Sequence, residues 1–140
     1  MTDETLTDPA DYRIWTREKI RWQDVDQYGH VNNVAFSVYA ESGRVEFLER
    51  IAPGSVFGDG PNWVIVRLVV DFREQAHYPG EVRIGTRVTR VGRSSATLVQ
   101  GLFEGERCFA TSEAVVVLMD PETGRSVPIP DSMRSALEQS

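Results

Sequence analysis

The second half of the chain carries four runs with strand character, set apart by short turn signals. Trp63–Phe72 is nearly all β-branched or aromatic, which predicts a strand buried on both faces. Glu81–Val91 alternates, with Val82, Ile84, Thr86 and Val88 set against Glu81, Arg83 and Arg87. Gly92-Arg93 turns the chain into Ser94–Glu104, and Gly105 turns it again into Arg107–Met119. Turns of that length make antiparallel hairpins. Upstream the period becomes helical. Between Asn33 and about Arg50, Val34, Val38, Val45 and Leu48 share one face, and Glu41 fills the remaining position of the stripe. Phe36, Ala40, Gly43 and Phe47 lie on an adjacent face, where the small residues let a sheet come close. The pattern predicts a long, largely buried helix that Pro53-Gly54 ends.

Arg13 to Trp22, with Ile14, Ile20 and Trp22 as its bulky residues, reads as one strand ahead of that helix. A Gly- and Pro-rich loop runs from Gly54 to Asn62, and a short last helix starts at Asp131 or Ser132 behind Pro130. Residues 1–12 are acidic and contain Pro9, which predicts a flexible arm on a single domain spanning 13–140. The fold class is α+β: an antiparallel sheet of about five strands with one long helix packed on it. Such a sheet has an exposed edge and a half-covered face, so at least a homodimer, or a homotetramer, is expected.

Composition narrows the function. At 140 residues and 41% apolar content the chain has room for one real core. The first dozen residues lack a signal-peptide pattern and no long apolar run occurs. A cytoplasmic protein without a membrane span is expected. The single cysteine, Cys108, fits a reducing compartment and reads as a packed thiol in its strand. Asp and Glu outnumber Lys and Arg by 21 to 15, which argues against nucleic acid as a partner. An anionic cofactor-like substrate would need local arginines, and Arg67, Arg73, Arg83, Arg87, Arg90 and Arg93 are available.

The chemistry concentrates in Asp24-Val-Asp26-Gln-Tyr28-Gly29-His30-Val31-Asn32-Asn33, just before the long helix. A fold gains little from so many polar groups in ten residues. Glu41 adds a carboxylate on the apolar stripe, where an unpaired charge is expensive. Gly29 permits a tight turn, and a helix start at Asn33 offers free backbone N–H groups to a developing oxyanion. His30 and His77 with the aspartates match no standard metal-ligand spacing, so neither metal nor cofactor is expected.

This cluster, followed by Glu41 and Arg44, resembles the signature of hotdog-fold acyl-CoA thioesterases of the 4-hydroxybenzoyl-CoA thioesterase-like family. The likeness is sharpest over residues 21–48. Asp71 to Gly80 and Val91 to Ser95 also sit where such enzymes carry similar segments. The resemblance implies a sheet wrapped around the central helix, and hydrolysis of an acyl-CoA, or of an acyl-carrier-protein thioester, to a carboxylic acid and a thiol. It implies Asp26 as the catalytic carboxylate, acting as nucleophile or as base, with Glu41 as the alternative on the helix. His30 would orient Asp26 or water, and the backbone N–H of Asn33 would hold the oxyanion. Tyr28, Gly29, Val31 and Asn32 are the expected substrate contacts, with Arg73, Arg93 and Ser94 for the nucleotide. Asp24 is expected to serve structure. Two other functions stay open on the same fold: dehydration or hydration of a hydroxyacyl thioester, and acyl-CoA binding without turnover.

Overall fold

The computed structural model describes residues 6–140. Its main elements are β1 (Ile14–Ile20), α1 (Asn33–Ile51), β2 (Asn62–Phe72), β3 (Gly80–Val91), β4 (Ser95–Glu104), β5 (Arg107–Met119) and α2 (Asp131–Glu138). The five strands form one antiparallel sheet in the order β1-β3-β4-β5-β2. Both predicted hairpins, β3–β4 and β4–β5, are present. β1 is shorter than the sequence pattern suggests, because Trp22–Asp24 closes into a 3-10 turn that leads to the polar cluster.

Helix α1 lies over β1, β3 and β4, against the half of the sheet nearest β1. Its buried face is Ala35, Phe36, Tyr39, Ala40, Gly43, Arg44, Phe47 and Leu48. Gly43 is the point of closest approach: a Cβ there would stand 2.6 Å from Ile84 Cγ2 and 2.9 Å from Gln100 Nε2. The fully buried Gln100 side chain, itself on β4, then ties α1, β3 and β5 to its own strand. Its Nε2 donates to Ala40 O of α1 (3.0 Å) and to Thr86 Oγ1 of β3 (3.1 Å). Its Oε1 accepts from Ser112 Oγ of β5 (2.9 Å) and, more weakly, from Arg44 Nη1 (3.4 Å). Every hydrogen-bonding position of the carboxamide is thus used, as a buried amide requires. Phe36, Tyr39, Ile84 and Phe109 pack around one end of α1; Phe47, Leu98, Leu118 and Leu137 of α2 pack around the other.

Three expectations change. The stripe of Val34, Val38 and Glu41 is not the buried face: Val34 is 67% exposed and Glu41 is exposed. The helix sits off-centre, so this flank overlooks the uncovered half of the sheet, and a charge there remains solvated. The adjacent face with Ala40 and Gly43 is the one that meets the strands. β2, in turn, is an edge strand rather than a strand buried on both faces; Val64, Ile65, Val66, Leu68, Val69 and Phe72 are all exposed in the single chain. Its continuous apolar run carries no sign of which neighbour is missing. Finally, residues 6–12 are not a loose arm. Leu6 and Tyr12 are buried, Tyr12 Oη donates to Leu6 O (2.7 Å), and the Tyr12 ring stands edge-on to Trp15 and Phe103. Residues 1–5 of the expected arm lie outside the described residues.

The approach at Gly43 makes a direct stability test. Gly43→Ala gains about 1 kcal/mol in helix propensity. Overpacking typically costs about 1–3 kcal/mol, and a 2.6 Å contact with a β-branched core residue lies toward the upper end. The expected outcome is a net loss of about 1–2 kcal/mol in urea unfolding. A variant as stable as wild type would mean that α1 has room to withdraw from β3 and β4.

Candidate active site

The polar cluster folds as a tight loop that delivers the chain into α1. Val25 and Val31 form an antiparallel bridge, Asp26 N donates to His30 O (3.0 Å), and Gly29 N donates to Asp26 O (3.0 Å). Gly29 closes this turn at φ +82°, in the left-handed region that glycine enters without steric cost. Val31 N donates to Ala76 O (2.9 Å), which fastens the loop to the segment after β2. Asn32 is the N-cap of α1: its Oδ1 accepts from Val34 N (2.8 Å) and its O accepts from Ala35 N (2.9 Å). Asn32 N donates to Asp24 O (2.8 Å). Among the described residues, the N–H of Asn33 at the very start of the helix meets no acceptor.

The two aspartates of the Asp-x-Asp pair have opposite surroundings. Asp24 is buried and its Oδ2 accepts from both Tyr39 Oη (2.7 Å) and Arg21 N (2.9 Å), with the Arg21 guanidinium 3.6 Å from Oδ1. Burial, and then the bond to Asp24, push the Tyr39 hydroxyl far above the ordinary tyrosine pKa, so it stays a donor. Asp24 therefore anchors the loop to α1, as expected. Asp26 is half-buried; its Oδ1 accepts only from Tyr28 N (2.9 Å) and no basic side chain pairs with it among the described residues.

Asp26, Tyr28, His30, Val31 and Asn33 converge on one cavity of about 520 Å³ at the start of α1. Its far wall is Phe36 of α1 with Phe72, Glu74 and Gln75 from the end of β2. The Phe36 ring lies 5.5 Å from Phe72 and 5.0 Å from Phe109, so the apolar part of the cavity is a packed aromatic wall. The His30 ring stands edge-on to His77 at 5.4 Å. Among the described residues no three His, Cys, Asp or Glu side chains converge into a metal-binding group.

The remaining candidates lie elsewhere. Glu41 lines a different cavity, of about 140 Å³, with Arg44 and Trp63. Arg93 and Ser94 line another, with Ser126, Val127 and Pro128. Arg73 points its Nε to Thr111 Oγ1 (3.4 Å) and does not line the cavity at α1. Glu74 and Gln75 were not singled out from sequence. Alternation gives no signal for Glu74, which lies two residues beyond the end of β2, where Arg73 N and Glu74 N both donate to Phe109 O and the alternation is broken.

The contrast between the aspartates predicts different costs of removal. Asp24→Asn loses a charged acceptor of one buried and one part-buried donor and is expected to cost about 1.5–3 kcal/mol in urea unfolding. Asp26→Asn is expected to stay within about 0.5 kcal/mol of wild type. Equal destabilisation by both would remove the division of roles.

Comparison with known proteins agrees with this fold. The family model for the thioesterase-like superfamily matches residues 20–137. A predicted thioesterase from Bacillus stearothermophilus is 31% identical, covering 89% of this chain and 93% of its own, at TM-score 0.80. A thioesterase from Thermus thermophilus, complexed with coenzyme A and Zn, is 28% identical over 91% of this chain and 93% of its own, at TM-score 0.79. A Pseudomonas aeruginosa protein of 29% identity, covering 91% of both chains, superposes at TM-score 0.84. With its antiparallel sheet, packed helix and matched residues 20–137, the chain belongs to the thioesterase-like superfamily.

Proposed function

We propose that this protein hydrolyses acyl-CoA thioesters to a carboxylic acid and free CoA, with Asp26 as the catalytic carboxylate. The observation that carries the proposal is the meeting of Asp26, His30 and Asn33, whose backbone N–H is uncommitted among the described residues, in one cavity with an aromatic wall. Hydrolysis of a thioester needs an attacking oxygen on one side of the carbonyl carbon and a donor for the carbonyl oxygen on the other. The start of α1 offers Asn33 N–H as that donor, aided by the positive end of the helix dipole. Asp26 supplies the attack, either by adding to the carbonyl carbon itself or by taking a proton from the attacking water. The C–S bond then breaks and CoA leaves as its thiolate. In the first route water then cleaves the acyl–Asp26 anhydride to the acid and gives its proton to the thiolate; in the second the proton taken by Asp26 passes to the thiolate. His30, on the same cavity, positions the water.

Placing the acyl group against Phe36 and Phe72 leaves CoA to run out past the end of β2 toward Arg73. Arg93 and Ser94 stand at the other end of the sheet, beside the start of β2, and do not lie on this path. The Thermus thermophilus relative complexed with coenzyme A supports CoA as the thiol. The Asp-x-Asp, His30 and Glu41-x-x-Arg44 pattern supports a place in the 4-hydroxybenzoyl-CoA thioesterase-like branch.

The protein is further proposed to act as a homodimer paired along β2. Support comes from the unpaired edge of β2, its exposed apolar residues, and the uncovered half-sheet beside Val34 and Val38. A second copy would cover all three at once, and the cavity at the end of β2 adjoins that surface.

Two measurements test this reading. Thiol release from acyl-CoAs of short, long, branched and aromatic chains is expected to fall at least about 100-fold in Asp26→Asn. Near-normal turnover by that variant would reject Asp26 and move the chemistry to Glu41. Sedimentation is expected to show a dimer for wild type and a monomer of much reduced activity for Val66→Lys, which places a charge on the open edge. A fully active monomer would overturn the shared interface.

A further inference from the structure

Resting on the hydrolysis reading, we infer that Glu74 sets acyl-group specificity: it makes the cavity refuse acyl chains that carry a second carboxylate. Two carboxylates, Asp26 and Glu74, line the cavity, and no lysine or arginine does among the described residues. Asp26 belongs to the proposed reaction, but Glu74 has no part in it and comes to the same cavity from the segment just after β2.

The position of Glu74 is fixed by its neighbours. Glu74 N and Arg73 N both donate to Phe109 O of β5 (3.1 and 3.0 Å). The Glu74 side chain is held by Arg107, whose Nη1 donates to Glu74 Oε1 at 2.8 Å. Arg107 Nη2 is meanwhile bonded to Glu104 across the β4–β5 turn. One guanidinium is thus divided between two carboxylates, and the Glu74–Arg107–Glu104 group keeps a net negative charge beside the cavity. The nearest other cation in sequence, Arg73, is turned to Thr111. An uncharged acyl chain meets Phe36, Phe72 and Val31 without penalty. A dicarboxylic half-thioester would bring its free carboxylate among like charges, with no lysine or arginine among the described residues lining the cavity to receive it. The same field would help expel the carboxylate product after the C–S bond breaks.

Because the Glu74 side chain is about half exposed, its charge is screened, and an effect of about tenfold is expected rather than complete exclusion. The test compares kcat/KM within pairs of equal carbon chain length: butyryl-CoA against succinyl-CoA, and octanoyl-CoA against suberoyl-CoA. Wild type is expected to prefer the uncharged member, and Glu74→Gln to narrow that preference about tenfold. Arg107→Gln, which removes the partial neutralisation of Glu74, is expected to widen it. Added salt should narrow the preference in wild type and have less effect in Glu74→Gln. Opposite shifts in the two variants are what a merely structural ion pair would not produce. Equal rates on both members in wild type, or an unchanged ratio in Glu74→Gln, would overturn the inference while leaving hydrolysis intact. No turnover of any member by wild type would overturn both.

Discussion

The close approach of α1 to the sheet at Gly43, locked by the Gln100 carboxamide, is the constraint on which the rest of the molecule depends. A buried amide must satisfy two donors and two acceptor positions, and here it does so across α1, β3 and β5 at once. Moving the helix by one register would break several of those bonds and drive a side chain into Ile84. The helix is therefore fixed both along its axis and around it. That fixes where its first residue, Asn33, stands, on the cavity shared with Asp26 and His30.

From this anchor the site follows in short steps. Tyr39, on the buried face of α1, holds Asp24; Asp24 receives Asn32 N and Arg21 N; the loop between them then closes over Gly29. One aspartate of the pair is spent on position, which leaves the other, two residues on, with a single local hydrogen bond and a face on the cavity. The separation is electrostatic as well as geometric. Asp24 is compensated by two donors and a nearby guanidinium, and Asp26 has no basic partner among the described residues. A carboxylate without a competing cation is available to a water or a carbonyl carbon.

The off-centre seat of α1 has a second consequence. It leaves the β2 side of the sheet uncovered, with Trp63 and Ile65 beside one cavity and Phe72 beside another. A bulge between Ile65 and Arg67 switches the inward-facing positions of β2 from odd to even residues. The switch is what turns Phe72 toward α1, where its ring meets Phe36.

Much of this was legible in the sequence, and the limits have physical causes. Element identity and order came from local periodicity, because 3.6- and two-residue repeats belong to the chain itself. The polar loop before α1 was legible because so many polar groups in so short a segment have no role in packing. The face that α1 buries was not, since two adjacent faces were each apolar enough and only the position of the helix over β1, β3 and β4 chooses between them. Gln100 looked like an ordinary strand residue, and its importance exists only where four elements meet. β2 read as a central strand because an apolar run states a need for neighbours without saying from which chain they come. By itself, then, the sequence determined what is local: the elements, the turns, and the cluster that carries Asp26, His30 and Asn33. Only the tertiary structure decided what joins them, placing Glu74 on the cavity of Asp26 and Glu41 outside it, because contacts between distant residues are set by packing rather than by spacing along the chain.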